Sequence, residues 1–305
     1  MIKVEVVKAS RNPEGVTLWT IALTYPRFIH ADLMTHRIFS RNASSSRATP
    51  IINSIRAILR NSAAPVSWGS HKAGMQAGED ITGWRLRLAK FAWNAAKNCA
   101  LTFAWVAMKA GVHKQIVNRM IEPWSHITTL VTTTDWANWD ALRDHKDADP
   151  TIQALAREII LARELAELNH NVVDLKPGYY HLPYVTTAEL LKFGIVIAIE
   201  LSVARCARVS YLTHGGNKPS VEKDRALYQR LAYHDPMHAS PLEHQATPDT
   251  MSWQELTRIE GLVTTCIKAG NAYDHPEEHG NLYGFRQFRK QLPNESVVEP
   301  KRKTI

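Results

Sequence analysis

Residues 16–25, VTLWTIALTY, form a run of β-branched, aromatic and aliphatic side chains that stops at Pro26. Such side chains pack well on a pleated surface, and proline cannot extend a central strand, so the run predicts a strand ending there. The period then changes. Ile29, Leu33, Met34 and Ile38 fall on one side of a helix over residues 28–39. Residues 41–49 are polar and rich in serine, which predicts a loop.

Further along, helices are predicted over 51–60, 84–110, 114–122, 150–169 and 221–233. Gly111 stops the second, Pro123 the third, and Pro150 opens the fourth. Four glycines make 69–83 a loop. Residues 128–134 are dense in threonine, and 187–210 are apolar again. Pro177, Gly178 and Pro183 make 172–184 the segment where the chain could divide. Trp84, Trp93 and Trp105 lie on the long amphipathic helix, where core packing is their expected role.

Composition narrows the class. The chain has 305 residues, 45% of them apolar and 22% charged, which excludes disorder as the main state. The net charge of +8 favours anionic partners. Cys99, Cys206 and Cys266 are odd in number and have no C-x-x-C spacing, which fits a reducing cytoplasm and argues against a disulfide framework. The apolar stretches 91–112 and 194–212 each carry charges, Lys97 and Lys109 in one and Glu200 and Arg205 in the other, so neither is expected to span a membrane. His275-Pro-Glu-Glu-His279 lacks the H-E-x-x-H pattern and a third ligand, so no metal is expected. Nor is there a G-x-G-x-x-G or a Walker-type loop.

The stretch His36-Arg-Ile-Phe-Ser-Arg-Asn-Ala-Ser-Ser-Ser-Arg47 is the most informative. Small hydroxyls and loop amides wrap phosphates, and arginine clamps them with paired N–H groups. A solvated serine loop has the same composition, so the residues alone leave both readings open.

This stretch resembles the signature of the flavin-dependent thymidylate synthases, the ThyX family: R-H-R, seven residues, then S. His36, Arg37, Asn42, Ser45 and Arg47 fall on the pattern, while Thr35 stands at the first Arg and Ala43 at a commonly acidic position. Arg119-Met-Ile-Glu-Pro123 is similar to the family's R-x-x-L-P. Residues 132–143, TTTDWANWDALR, resemble its W-T-x-N…N-F-x-x-L-R segment through Asn138, Leu142 and Arg143; Asp147, Asp149 and Pro150 then replace the usual His, Gln and aromatic. Later, Val203-Ala-Arg-Cys-Ala-Arg-Val-Ser-Tyr211, Glu222-Lys-Asp224 and His238-Ala-Ser-Pro-Leu-Glu-His244 resemble blocks that the family carries at its N-terminus. Their order here implies a circular permutation, which closely spaced surface termini permit.

The resemblance implies an α+β fold with a curved antiparallel sheet and helices, permuted, assembled as a homotetramer with active sites between subunits. Residues 1–170 would hold the signature and the Arg143 segment, 171–192 a linker, 193–292 the family's N-terminal blocks, and 293–305 a flexible tail. It implies reductive methylation of dUMP to dTMP with FAD, methylenetetrahydrofolate and NADPH. Arg143 would be catalytic, stabilising charge on the pyrimidine. Ser44, Ser45, Ser46, Arg47, Arg119 and Arg143 would bind the nucleotide. His36, Arg37, Ile38, Asn138, Ser210, Ser240 and Glu243 would bind FAD, with His238 beside the flavin or folate.

Two alternatives stay open. One is a dUMP or dCMP hydroxymethylase, in which water ends the reaction, for which Asp32, Thr35 and Ala43 leave room. The other is a non-catalytic basic relative that binds nucleotides or nucleic acid. Asp32 would also repel a phosphate. Arg286, Gln287 and Arg289 either supply replacement cations there or form a solvated basic helix.

Overall fold

The computed structural model describes residues 2–74, 76–209, 219–260 and 263–295; for 254–260 and 263–269 it describes the backbone alone. The chain forms a mixed α+β structure around an open five-stranded sheet. Strand β1 (Lys3–Arg11) pairs antiparallel with β2 (Thr17–Pro26), the strand expected from the opening run. A short helix α1 (His30–Met34) comes next, then β3 (Ser40–Ala43), α2 (Ile51–Arg60), the long α3 (Gly83–Lys109) and α4 (Lys114–Met120). Strand β4 (His126–Thr133) returns between β2 and β3, antiparallel to both. Helices α5 (Ala137–Arg143) and α6 (Pro150–Leu168) lead to β5 (Val172–Asp174). β5 pairs parallel with β1, so the order is β3-β4-β2-β1-β5 and the sheet is mixed, not wholly antiparallel.

Two sequence expectations change here. The helix expected over 28–39 is a 3-10 turn plus one short helix that ends at Met34, because the chain must turn to bring His36 inward. The serine-rich segment expected as a loop begins as β3, paired with β4 from Ser40↔Thr132 to Ala43↔Thr129. Its polar side chains are tolerated because an edge strand needs only one covered face.

The alternation of β2 sorts its side chains onto two covered faces. Trp19, Ile21, Leu23 and Tyr25 face α6, packing with Ile127, Val131, Ile152, Leu155 and Ile159. Leu18, Thr20 and Ala22 face the later part of the chain. There, helix α7 (Thr187–Ala207), opened by a capping box of Thr186 and Glu189, lays Cys206 on Leu130 and Ala22. Helix α8 (Val221–Ala232) packs on α7 through Tyr228. A short pair, β6 (Ala246–Pro248) and β9 (Phe285–Gln287), and a hairpin, β7 (Met251–Glu260) with β8 (Val263–Tyr273), complete the described elements. Sequence reading did not find the hairpin.

Helices α2, α3 and α4 form a separate small core of Ile55, Ile58, Leu101, Ala104, Val117 and Ile121. Only one side of α3 is used there. Trp84 and Trp105, expected in the core, are 68% and 49% exposed, while Trp93 is half-buried and donates Nε1–H to Ala63 O at 3.1 Å.

Candidate functional site

The signature begins where α1 stops. The Thr35 hydroxyl donates to Asp32 O at 2.7 Å and closes the last turn. His36 then turns inward, its ring 4.5 Å from Phe39 and 5.5 Å from Trp139. Burial first, and the nearby Arg143 charge second, hold its pKa below the ordinary value, so it is neutral at pH 7. Its Nε2 is buried with no hydrogen-bond partner among the described residues. Arg37 and Ile38 are exposed. The loop is pinned from the far end of the chain: Asn281 Nδ2 donates to Ile38 O at 2.6 Å, and Asn281 Oδ1 accepts from Ser40 at 3.1 Å and Gln287 at 3.0 Å.

Beyond β3 the serines form one wall of a cavity of about 300 Å³ that Ala57, Ile58 and Ile121 line as well. Ser44 extends the strand, its amide donating to Thr128 O at 2.8 Å and its hydroxyl accepting from Thr128 N at 3.2 Å. Ser45 Oγ accepts from Arg47 N at 3.3 Å. Ser44, Ser45 and Ser46 line the cavity with Arg27, Asn53 and Asn118. Asn118, buried on α4, shapes the loop by donating Nδ2–H to Ser46 O at 2.7 Å and Thr49 O at 2.9 Å. Its Oδ1 is buried and has no partner among the described residues, leaving an acceptor at this cavity. Arg47 is exposed outside the lining.

The remaining arginines sit elsewhere. Arg119 lines a neighbouring cleft of about 440 Å³ with Arg27, Phe28, His30 and Glu122. Arg143 lines another, of about 450 Å³, with His145 and Asp147. Its Nη2 donates to Thr35 Oγ1 at 3.0 Å and lies 3.4 Å from Asp32 O, and its guanidinium lies 5.9 Å from the centre of the Trp139 ring. Within one chain the serine loop and Arg143 therefore line different clefts.

The late blocks return to the signature at one point. Ser240 donates to Asn42 Oδ1 at 3.4 Å, and Asn42 Nδ2 donates to Cys206 O at 2.6 Å. Glu243 accepts from Arg289 at 2.5 Å. Asn138 is exposed on α5. His238 lies in the loop after α8, its ring 4.8 Å from that of His234. Ser210 lies outside the described residues.

The segment around Arg286 is neither a basic helix nor a source of free cations. It is β9 and a 3-10 turn, Arg286 is paired with Glu278 at 2.6 Å, and Arg289 with Glu243. Gln287 is buried instead, donating to Asn281 and the edge strand. Asn281, with Ile38, Thr134 and Asp135, borders an open cleft of about 600 Å³ that is also lined by Tyr273, His279 and Tyr283. Sequence reading missed Asn118 and Asn281 as structural members of the site, and it placed Gln287 on a basic segment where the fold buries it beside Asn281 and Ser40; only the adjacency of Asn118 to the Arg119 block signalled any such role.

The two histidines of His275-Pro-Glu-Glu-His279 also find their place. Asp249, fully buried, accepts from His275 Nδ1 at 3.1 Å and from His279 Nε2 at 2.9 Å. His279 Nδ1 in turn accepts from Gly284 N–H at 3.3 Å, which fixes the ring's proton on Nε2. Among the described residues no group of three or more His, Cys, Asp or Glu is arranged to hold a metal ion. No helix there is long and apolar enough to cross a membrane. Burial pushes the Cys206 thiol well up, so it is not a thiolate at neutral pH, and Cys99 is exposed on α3.

No family model matches the sequence, and no curated protein matches it. Among solved structures, a UMP/dUMP methylase, PolB from Streptomyces cacaoi bound with 5-Br dUMP, overlaps at a TM-score of 0.44 and 15% identity over 55% of this chain and 91% of that one. The same methylase bound with 5-Br UMP gives 0.42 and 16% over 55% and 90%. Flavin-dependent thymidylate synthase ThyX from Helicobacter pylori, complexed with FAD and dUMP, gives 0.34 and 15% over 48% and 67%. At this identity and overlap they assign no residue and no ligand to this chain.

Proposed function

We propose that this chain is a flavin-dependent enzyme that modifies the base of a pyrimidine deoxynucleotide, with dUMP methylation to dTMP as the leading reaction. The observation that carries the reading is the serine-loop cavity. A mononucleotide needs a pocket of a few hundred Å³ with hydroxyl and arginine donors for phosphate and a few fixed polar groups for the base. The cavity of about 300 Å³ offers Ser44, Ser45 and Ser46, Arg27, whose guanidinium is shared with Glu122 at 3.2 Å on the same wall, and the Asn118 Oδ1 that has no partner among the described residues. An acceptor held in that way suits the imide N–H of a uracil ring, since a buried carbonyl without a donor is costly. Arg143 would stabilise negative charge on the pyrimidine.

FAD fits part of the set that resemblance assigns to it. His36 keeps a buried ring nitrogen without a partner, and Ile38 opens onto the cleft walled by Tyr273 and Tyr283, which suits a flat conjugated ring. Ser240 and Glu243 are already bonded within the chain to Asn42 and Arg289. We therefore assign the flavin to the side of His36, Arg37 and Ile38. When bound there it supplies electrons to the reaction, drawn from NADPH, with methylenetetrahydrofolate giving the carbon. Because the serine cavity and the Arg143 cleft are separate in one chain, we place the complete site between copies of a homotetramer.

The test is one reaction read by mass spectrometry. Protein, FAD, NADPH and methylenetetrahydrofolate are mixed under low oxygen with dUMP, and in parallel with dCMP. A methyl-sized gain on dUMP is expected. A hydroxymethyl-sized gain would replace the methylase with a hydroxymethylase, and no product with either nucleotide, together with no flavin absorbance, would overturn the enzyme reading.

A further inference from the structure

The charge of the chain is unevenly placed along it. Residues 51–124, which contain α2, α3 and α4, hold ten basic and three acidic residues, a net of +7. Residues 125–174, which come directly after and contain α5 and α6, hold four basic and nine acidic, a net of −5. Each segment also carries an uncovered apolar helix face.

On α3 the exposed side holds Trp84 (68%), Leu88 (56%), Phe91 (69%) and Val106 (49%). At 100° per residue these four fall within about 60° of arc. The opposite side is spent on the small core through Leu101 and Ala104. Every charged residue of α3 is basic: Arg85, Arg87, Lys90, Lys97 and Lys109. Arg85 and Arg87 flank the stripe on its two sides. Trp84, Leu88 and Phe91 form the contiguous part, two turns long, before the exposed Asn98 and Thr102 interrupt the face ahead of Val106, and an exposed apolar patch of large side chains marks a contact surface. Its uniform positive charge disfavours pairing with a second α3 and calls for an acidic partner.

Helix α6 presents the complement. Its inner side is buried against the sheet through Ile152, Leu155 and Ile159. Its outer side exposes Leu161 (48%), Leu165 (47%) and Leu168 (73%), spaced i, i+4, i+7 on one stripe. Glu158 and Glu164 flank that stripe, and neither makes an ion pair among the described residues, whereas Arg157 and Arg163 are taken up by Asp144 and Asp140. The helices suit each other in length as well, about 40 Å for α3 and about 28 Å for α6 at 1.5 Å per residue.

We propose that α3 of one copy lies on α6 of a second copy, leucine stripe against aromatic stripe, with Arg85 and Arg87 facing Glu158 and Glu164. A second copy is the occupant because one chain carries both surfaces and two copies satisfy both reciprocally in a two-fold contact. The pairing deepens the assembly proposed above and does not depend on the nucleotide.

The test is a charge reversal read by light scattering on a sizing column. Wild type elutes as an oligomer at micromolar concentration. The α3 variant, Arg85→Glu with Arg87→Glu, and the α6 variant, Glu158→Lys with Glu164→Lys, each shift to smaller species while keeping wild-type circular dichroism and a cooperative melt, at a lower temperature as the lost association requires. Mixing the two restores the larger mass, because each reversed α3 then meets a reversed α6. The four substitutions in one chain restore it too. A monomeric wild type, variants that keep the wild-type mass, or a mixture that fails to reassociate would each overturn the pairing. dUMP titration of the same samples by calorimetry reports separately on the nucleotide reading.

Discussion

Arg143 and Thr35 are joined by a hydrogen bond of 3.0 Å, Nη2–H to Oγ1, and the same Thr35 hydroxyl donates onward to Asp32 O at 2.7 Å. A residue that departs from the expected R-H-R signature is thus the one that orients the expected catalytic arginine. An arginine at position 35 would repel Arg143; threonine accepts from it. Thr35→Val keeps the shape and removes both bonds. We expect a loss of about 1 kcal/mol in denaturant stability. Turnover should fall by about tenfold, about 1.4 kcal/mol of barrier, against a loss beyond about a hundredfold for Arg143→Lys, as for other lost charge-stabilising donors. Equal turnover for Thr35→Val and wild type would remove the orienting role.

The serine cavity makes a separate prediction. Ser46→Ala deletes a lining hydroxyl that makes no hydrogen bond within the described residues. Stability should change by less than about 0.5 kcal/mol, as for an uncoupled surface position. Affinity for dUMP, measured by calorimetry, should drop by about tenfold, the worth of one hydrogen bond to a charged phosphate. Asn118→Ala should lower both, because it also releases Ser46 O and Thr49 O. An unchanged affinity in Ser46→Ala would place the phosphate elsewhere.

A pH dependence arises on the second face of the sheet. His181 and His244 are buried and bonded to Thr20 and Thr132 at 2.8 Å each. Burial lowers His181 well below its ordinary value and His244 to about 3. Both are neutral in the fold, while the unfolded chain takes up protons below about 6.5. Their contribution is therefore complete above pH 6.5 and is lost as pH falls from there towards about 3 for His244. Each site costs about 1.4 kcal/mol per pH unit in that window. His244→Gln should lower the slope of unfolding free energy against pH by about that amount between pH 6 and 4, read by urea titration. A slope equal to wild type would show that His244 is protonated in the fold.

The late blocks are held by a buried ion cluster. Arg205 is bonded to Glu189 at 2.8 Å and to the fully buried Asp224 at 3.1 Å, and Arg208 reaches Asp224 as well. Arg205→Met strips a buried charge from Asp224. We expect about 3–5 kcal/mol of destabilisation, a value typical of a buried pair broken on one side. Arg205→Met with Asp224→Leu should recover part of it, because neither charge is then stranded. Equal stability of the single and double variants would show that Arg208 alone satisfies Asp224.

The sequence by itself settled what depends on near neighbours. β2, α2, α3, α4, α6 and α8 are set by local period, proline positions and helix-stopping glycine, because those signals act within a turn or a strand; residues 187–210 showed only that they are apolar, not that they form α7. Sequence alone misread residues 28–39, where the local helical period gives way to burying His36 among Phe39 and Trp139. It took residues 41–49 wholly for a loop, since pairing with β4 is a contact between residues more than 80 apart. Arg286 and Arg289 looked free because Glu278 and Glu243 are brought to them only by the fold. Asn118, Asn281 and Gln287 carry no pattern of their own. Their roles come from the carbonyls and side chains they meet across 69 to 247 positions of chain. Tertiary structure alone decided which polar groups were satisfied and which, like Asn118 Oδ1, were left without a partner.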